Sequence, residues 1–291
     1  MRRRRFLQIA AAALAVPCTA SAETRWEGVA LGADVSVTLR GEPRAAERAL
    51  DGIAALLARM EREFSLFDPS SALCRLNTEG VLGPSPDFLA LCVTAASVHA
   101  ATGGLFDPTV QPLWRALAEG RDPTAARAAI GWGRVGVSAG AITLQPGQAL
   151  TFNGIAQGYA TDRVRDLLAA EGFTEALVNI GEFAALGGPF RIGLADPSAG
   201  LLGWRHLASG AMATSSPAAM SVGGGSHILA PDGRAPLWST VTVEADSAAL
   251  ADGLSTAFCL MDRAVIRKAA DALPGVRGVT LVGPSGDLQT I

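Results

Sequence analysis

The 291 residues carry 24 Lys and Arg against 27 Asp and Glu, a formal net charge of −3, and 49% of them are hydrophobic. With no basic block after residue 22, nucleic acid and a polybasic membrane patch are excluded as partners. The apolar content supplies core enough for one large domain or two intimate ones, and past the leader no apolar run reaches the ~20 residues that a bilayer requires.

Residues 1–22 read as a targeting segment: an Arg2 to Arg5 cluster, Phe6 and Leu7, an alanine-rich run, and Ala20-Ser21-Ala22 as a cleavage site. RRRFLQIAA has the twin-arginine pattern of a route that exports chains already folded; an ordinary signal with extra basic residues is the alternative. Cys18 follows Pro17, a poor lipid-attachment context, so the expected product is a soluble periplasmic protein without a membrane span. Three cysteines then remain, Cys74, Cys92 and Cys259. Their odd number and lack of C-x-x-C spacing predict buried thiols, with a Cys74–Cys92 bridge left open.

The alternation in DVSVTL predicts a strand within Trp26 to Leu39. An amphipathic helix follows from about Pro43 to Phe64, with Leu50, Ile53, Ala54, Leu57 and Met60 on one face. Phe67-Asp68-Pro69-Ser70 is a turn, and Ser71 is placed to cap the short helix after it. Another helix runs from about Pro86 to Ala101 and ends at Gly103-Gly104. The two prolines of LFDPTVQPLW mark a shaped loop. Asp122 to Gln148 reads as a short helix and a hairpin around Ser138-Ala139-Gly140.

From Thr151 to Gly181 the order is strand end, glycine loop, helix from about Tyr159, and second strand. Short strands follow at Phe190 to Ala195 and Ala211 to Ser215, then the loop SVGGGSHILAPDGRAP, the strand WSTVTVEA, a helix from about Ser247 to Met261, and a final hairpin, GVTLVGPSGDLQTI. No repeat or low-complexity linker interrupts residues 23–291. They predict one compact α+β unit with mixed or antiparallel sheets and flanking helices.

Gly154 and Gly158 place Cβ-free backbone at a helix start, where free amides and the helix dipole make an anion cradle suited to phosphate or pyrophosphate. The G-x-x-x-G spacing matches neither G-x-G-x-x-G nor G-x-x-x-x-G-K-[ST]. The plainer reading is a tight turn into a helix closed by Gly172. Asp252 and Thr256 are four apart, hence on one helix face with Ser255 beside them. Completed by a backbone carbonyl and phosphate oxygens, that hard-oxygen pair suits Mg²⁺; the alternative is an Asp near a helix start and a Thr bonded to the previous turn.

His99, His206 and His227 are too scattered for a zinc site, and His227, after a run of three glycines and a serine, is the functional candidate among them. Phe67, Phe106 and Tyr159 stand beside turns or the glycine loop, where each either stacks on a planar ring or fills the core.

Taken in order, FSLFDPSSALCRLN, TGGLFDPTVQPLW, NGIAQGYATDRV, ALVNIGE, HILAPDG and ADGLSTA resemble the FAD:protein FMN transferase family, the ApbE-like proteins, over nearly all of residues 23–291. FDPTVQPLW, LTFNGIAQGYATDRV, NIGE, ATSSP and the leader are most similar to its nitrous oxide reductase maturation branch, often called NosX. The resemblance implies a T-fold-like unit that moves FMN from FAD to a Thr or Ser of a partner flavoprotein, here a membrane-anchored one, and releases AMP. It also implies Mg²⁺ held by the Ala156 carbonyl, Asp252, Thr256 and Ser255. Phe67 would pack on the isoalloxazine, Leu105, Phe106 and Asp107 would line the flavin, Asn153, Tyr159 and Leu229 would lie further along the FAD cleft, and Leu31 would stand at its edge.

His227 or Asp107 is the expected base for the acceptor hydroxyl. Thr151, Asn153, Gln157 and Ala230 depart from the Asp, Gly, Lys and Asp frequent in that family. Two other readings stay open: metal-dependent hydrolysis of FAD to FMN and AMP, and a non-catalytic flavin carrier.

Overall fold

A computed structural model describes residues 23–291; the leader and its cleavage site lie outside the described residues. The chain opens with β1 (Glu23–Ala30) and β2 (Ala33–Arg40), paired antiparallel around a turn at Leu31-Gly32. Helix α1 (Pro43–Phe64) begins where the Glu42 carboxylate accepts the Arg44 and Ala45 amides and Pro43 fills the first turn. Then come α2 (Ala72–Glu79), capped by Ser71, β3 (Val81–Leu82), and α3 (Pro86–Ala101), capped by Ser85. A 3-10 turn at Pro108–Val110 leads into α4 (Gln111–Ala118). Pro112 sits in the first turn of α4, where no amide partner is lost, so the predicted shaped loop is half helix.

The region continues with α5 (Thr124–Ala129), β4 (Gly136–Val137) and β5 (Ile142–Thr143), the last two forming the expected hairpin, whose β5 also pairs with β3. Helix α6 (Ala156–Ala170) starts three residues earlier than expected, and residues 148–152 before it form no strand. The order after it is β6 (Ala176–Asn179), β7 (Phe183–Leu186), β8 (Phe190–Asp196), β9 (Gly200–Leu207), β10 (Gly210–Ser215), β11 (Ser221–Val222), β12 (Gly225–Ser226) and β13 (Thr240–Ala245). The chain closes with α7 (Ala248–Phe258), α8 (Arg263–Ala272), β14 (Val276–Val282) and β15 (Leu288–Thr290).

Eight strands form one sheet in the order β1-β2-β6-β7-β10-β13-β14-β15, antiparallel throughout, as the sequence predicts for an α+β unit. Side chains alternate across it. Val178, Ala213, Val241 and Val243 face the core that holds α1, α3, α6 and α7, whereas Leu177, Ala185 and Met212 meet Phe190, Ile192, Leu194 and Leu207 of the separate β8–β9 hairpin. The sheet is therefore covered on both faces at its centre, and α6 and α7 lie on one another above β7, β10 and β13. No helix among the described residues is long and apolar enough to cross a membrane.

Candidate functional site

The site is built where α6 enters, α7 passes and β10 ends. Two glycines set how near α7 comes. A Cβ on Gly158 would lie against the Ala248 carbonyl and 2.8 Å from the Asp252 Cβ, and one on Gly154 would lie 2.9 Å from the Thr256 hydroxyl. The cleared space is occupied by α7, not left open for a ligand, which corrects the anion-cradle reading for Gly158. Its amide is also engaged, donating to Asp252 Oδ2 at 3.0 Å. Asp162, one turn further along α6, fixes the start of α7 by accepting the Ala248 amide (2.8 Å), the Ala249 amide (2.9 Å) and the Ser247 hydroxyl (2.6 Å). It is paired with Arg165 at 3.1 Å.

Asp252 is 4% exposed, and burial raises its pKa above the ordinary carboxylate value while the Gly158 amide opposes the shift. Glu182, on the turn between β6 and β7, is 8% exposed and anchored through Oε2 by the Thr214 amide at 3.0 Å. Burial first, and then the negative charge of Asp252, push the Glu182 carboxyl well above its usual range. Two buried carboxylates thus share one site.

Hydroxyls finish it, and proton counting gives each bond its direction. Ser255 donates to the Asp252 carbonyl at 3.0 Å, so the 2.7 Å contact between Ser215 and Ser255 has Ser215 as donor. With the Ser215 proton spent, Thr256 donates across 3.3 Å to Ser215. The lone pairs of Thr256 are left free beside Gly154, whereas Ser255 is fully buried with its hydroxyl committed on both sides. The alternative reading of Thr256, a bond to the preceding turn, is not what forms.

Among the described residues no group of three or more His, Cys, Asp and Glu stands together as a metal cage. What does meet there is the Asp252 carboxylate and the Thr256 hydroxyl, against the first turn of α6. Such hard oxygens, too few to enclose an ion, fit Mg²⁺, which keeps water or phosphate oxygens in its shell.

Other predicted positions fall in different surroundings. Asp107 caps the turn after it: Oδ1 accepts the Thr109 amide (2.8 Å) and hydroxyl (2.6 Å), and Oδ2 accepts the Trp132 amide (3.1 Å). The Phe106 ring is buried in the main core. Tyr159 is buried too, edge-on to Phe64, with its hydroxyl donating to Asp87 at 2.9 Å. It therefore presents no face to a cleft, and the stacking reading of both rings is corrected to core. Leu105 is half-buried against that core.

Phe67, in contrast, is 84% exposed and borders a cavity of about 210 Å³ with Leu66, Pro69, Asn77 and Arg115. Leu229 borders another of about 220 Å³ with Ile228, Arg127 and Arg234. Neither cavity is bordered by Asp252 or Thr256. Asn153 is exposed, its amide donating to the Thr151 hydroxyl at 3.2 Å. Leu31 takes a left-handed φ of 50° in the β1–β2 turn, and its carbonyl faces the Gln157 amide group at 3.4 Å.

The His227 imidazole, Nδ1 3.1 Å from the Met220 carbonyl, is lowered in pKa by burial. With that nitrogen donating, Nε2 keeps its lone pair. Ser226 donates to the Pro217 carbonyl at 3.2 Å, so the His227 loop is clasped to the segment just after Ser215 and Ser216. Cys74, Cys92 and Cys259 are free thiols, which closes the question of a Cys74–Cys92 bridge.

Sequence reasoning missed Glu182, Ser215 and Asp162. All three lie inside the strings NIGE, ATSSP and NGIAQGYATDRV, yet nothing in spacing or composition singles them out.

A family model described as the ApbE family matches residues 31–280. Among solved structures the chain is similar to the flavinyl transferase ApbE of Pseudomonas stutzeri, apo form, at 24% identity and TM-score 0.82, covering 94% of this chain and 97% of that one. It is similar to the ApbE protein of Thermotoga maritima at 24% identity and TM-score 0.80, over 92% and 96% of the two chains. For the flavin transferase ApbE of Vibrio cholerae the values are 21%, 0.80, 93% and 96%. At these identities the likeness is one of fold. No curated protein matches.

Proposed function

The chain belongs to the ApbE family, and on that premise we propose that it transfers FMN from FAD to a Thr or Ser hydroxyl of an acceptor protein, with AMP as the other product. The acceptor hydroxyl attacks the FMN-side phosphorus, the phosphoanhydride bond breaks, and AMP departs with the bridging oxygen. What supports the reading is the meeting of Asp252 and Thr256 at the start of α6, one oriented by the Gly158 amide and the other by Ser215.

Asp252, Thr256 and the Ala156 carbonyl, with Ser255 beside them, would hold Mg²⁺. The ion would supply neutralisation of charge on the phosphoryl oxygens. His227, held neutral by burial, takes the proton of the acceptor hydroxyl. Phe67 offers an exposed ring for the isoalloxazine to stack on. The proposal extends to export by the twin-arginine route and to a membrane-anchored acceptor in the nitrous oxide reduction system, supported by the leader and by the NIGE and ATSSP strings.

The test incubates the mature protein with FAD, Mg²⁺ and a periplasmic acceptor domain, following AMP and the flavin fluorescence of the denatured acceptor band. Stoichiometric AMP with a fluorescent band, both lost with chelator and in Asp252→Asn, is the expected result. AMP with only free FMN would replace transfer by hydrolysis, and bound FAD without AMP would replace it by flavin carriage.

A further inference from the structure

We propose that Glu182 is the second carboxylate of the cation site, facing the ion together with Asp252. The inference rests on the metal reading above and adds to it a residue that the i, i+4 pattern on α7 does not contain.

Each of the two side chains spends one oxygen on a backbone amide: Asp252 Oδ2 on Gly158 and Glu182 Oε2 on Thr214. Among the described residues the other oxygen of each accepts no hydrogen bond, yet neither is fully occluded. Both side chains are more than nine-tenths buried, each anchored with one oxygen left over, and Glu182 stands near enough to Asp252 to feel its charge.

Among the described residues no Lys, Arg or His lies within ion-pair reach of either. Buried charges require a partner, and two carboxylates balance one dication. The hydrogen bonds that place Glu182 come from the same elements as the rest of the site. Thr214 adjoins Ser215, which orients Thr256, and the Thr161 hydroxyl on α6 lies 3.2 Å from the Glu182 carbonyl.

A purely structural Glu182 would serve only to accept the Thr214 amide, and Gln would do that equally well. Glu182→Gln therefore separates the two roles. Mn²⁺ binding to the mature protein is read by electron paramagnetic resonance, with and without FAD, beside the melting temperature in chelator and in Mg²⁺. The expected result is at least a ~10-fold weaker Mn²⁺ affinity for Glu182→Gln, an unchanged or higher melting temperature in chelator because one uncompensated charge is gone, and a smaller Mg²⁺-induced rise. Glu182→Asp, which keeps the charge on a shorter arm, should fall between.

Wild-type Mn²⁺ affinity in a folded Glu182→Gln, with Asp252→Asn impaired, overturns the assignment of Glu182 alone. A wild-type protein that binds no Mn²⁺ even with FAD overturns the metal reading beneath it. A Glu182→Gln that melts far lower in chelator makes the residue structural and likewise overturns the assignment.

Discussion

Replacing Gly158 by Ala tests how the site is held together. In an exposed helix the change would stabilise by about 1 kcal/mol; here the sign reverses. The new Cβ would stand 2.6 Å from the Ala248 carbonyl carbon and 2.8 Å from the Asp252 Cβ, against roughly 3.5–4.0 Å for an ordinary carbon contact. Ala248 is backbone in the first turn of α7, pinned by Asp162, so no side-chain rotation relieves the clash and α7 must retreat by roughly 1 Å. Overpacking of this kind costs about 1–3 kcal/mol. At roughly 2–4 °C per kcal/mol for a chain of this size or slightly smaller, the melting temperature should fall by about 2–12 °C. The retreat also carries Asp252 off the Gly158 amide, and a displacement near 1 Å at a reacting centre costs on the order of 100-fold in rate. Differential scanning fluorimetry and AMP release measure the two losses. Gly154→Ala is the companion, because the three atoms nearest its Cβ, at 2.9, 3.2 and 3.4 Å, all belong to the Thr256 side chain; it should lose rate with a smaller loss of stability. A Gly158→Ala protein with wild-type melting and turnover would refute the account of the glycines as the seat of α7.

Asp162→Ala takes the acceptor from three hydrogen-bond donors at the start of α7 and should lower stability by about 2 kcal/mol, read as a lower urea midpoint at unchanged slope; an unchanged midpoint would leave the Ser247 cap as sufficient. Phe67→Ala should leave stability within about 0.5 kcal/mol because the ring is exposed, while FAD affinity measured by fluorescence quenching falls; equal affinity would remove Phe67 from the flavin site. Burial lowers the pKa of His227, so below the ordinary histidine value of about 6.5 the unfolded chain binds a proton that the folded one refuses. Its contribution is then complete above that pH, is lost as pH falls through the lowered value, and should vanish from the pH–stability curve in His227→Asn; an identical curve would contradict the burial argument.

The helices α1 and α3 were legible to the residue because their starts are written locally, as Glu42 or Ser85 followed by proline. The division of Trp26 to Leu39 into two strands was not. The turn is made by Leu31 at φ 50°, a conformation that leucine does not announce, and the alternation of side chains runs on beyond it. Helix α8 and strand β9 went unread although Pro274-Gly275 closes the one and Gly200 opens the other; what fixes them is what they pack against, β14 for α8 and β8 for β9. At the site, Asp252 and Thr256 were readable from one helical turn of spacing, whereas Glu182 and Ser215 reach the same place along separate strands.

The glycine loop carries the larger lesson, because the residues were right and their use was different. A helix start with two glycines offers its amides to whatever comes nearest, and in this chain the nearest anion is the protein's own. Gly158 donates to Asp252, and the same missing Cβ that would admit a phosphate admits the backbone of α7. The positive end of the α6 dipole is thereby used to hold a buried carboxylate in place. A pyrophosphate brought to this point would meet Asp252 and Glu182 rather than a vacant nest of amides, and two negative groups repel it unless a dication stands between them. The helix start fits the proposed chemistry through that ion: it orients the carboxylate that would bind the metal, and the metal would bind the phosphates.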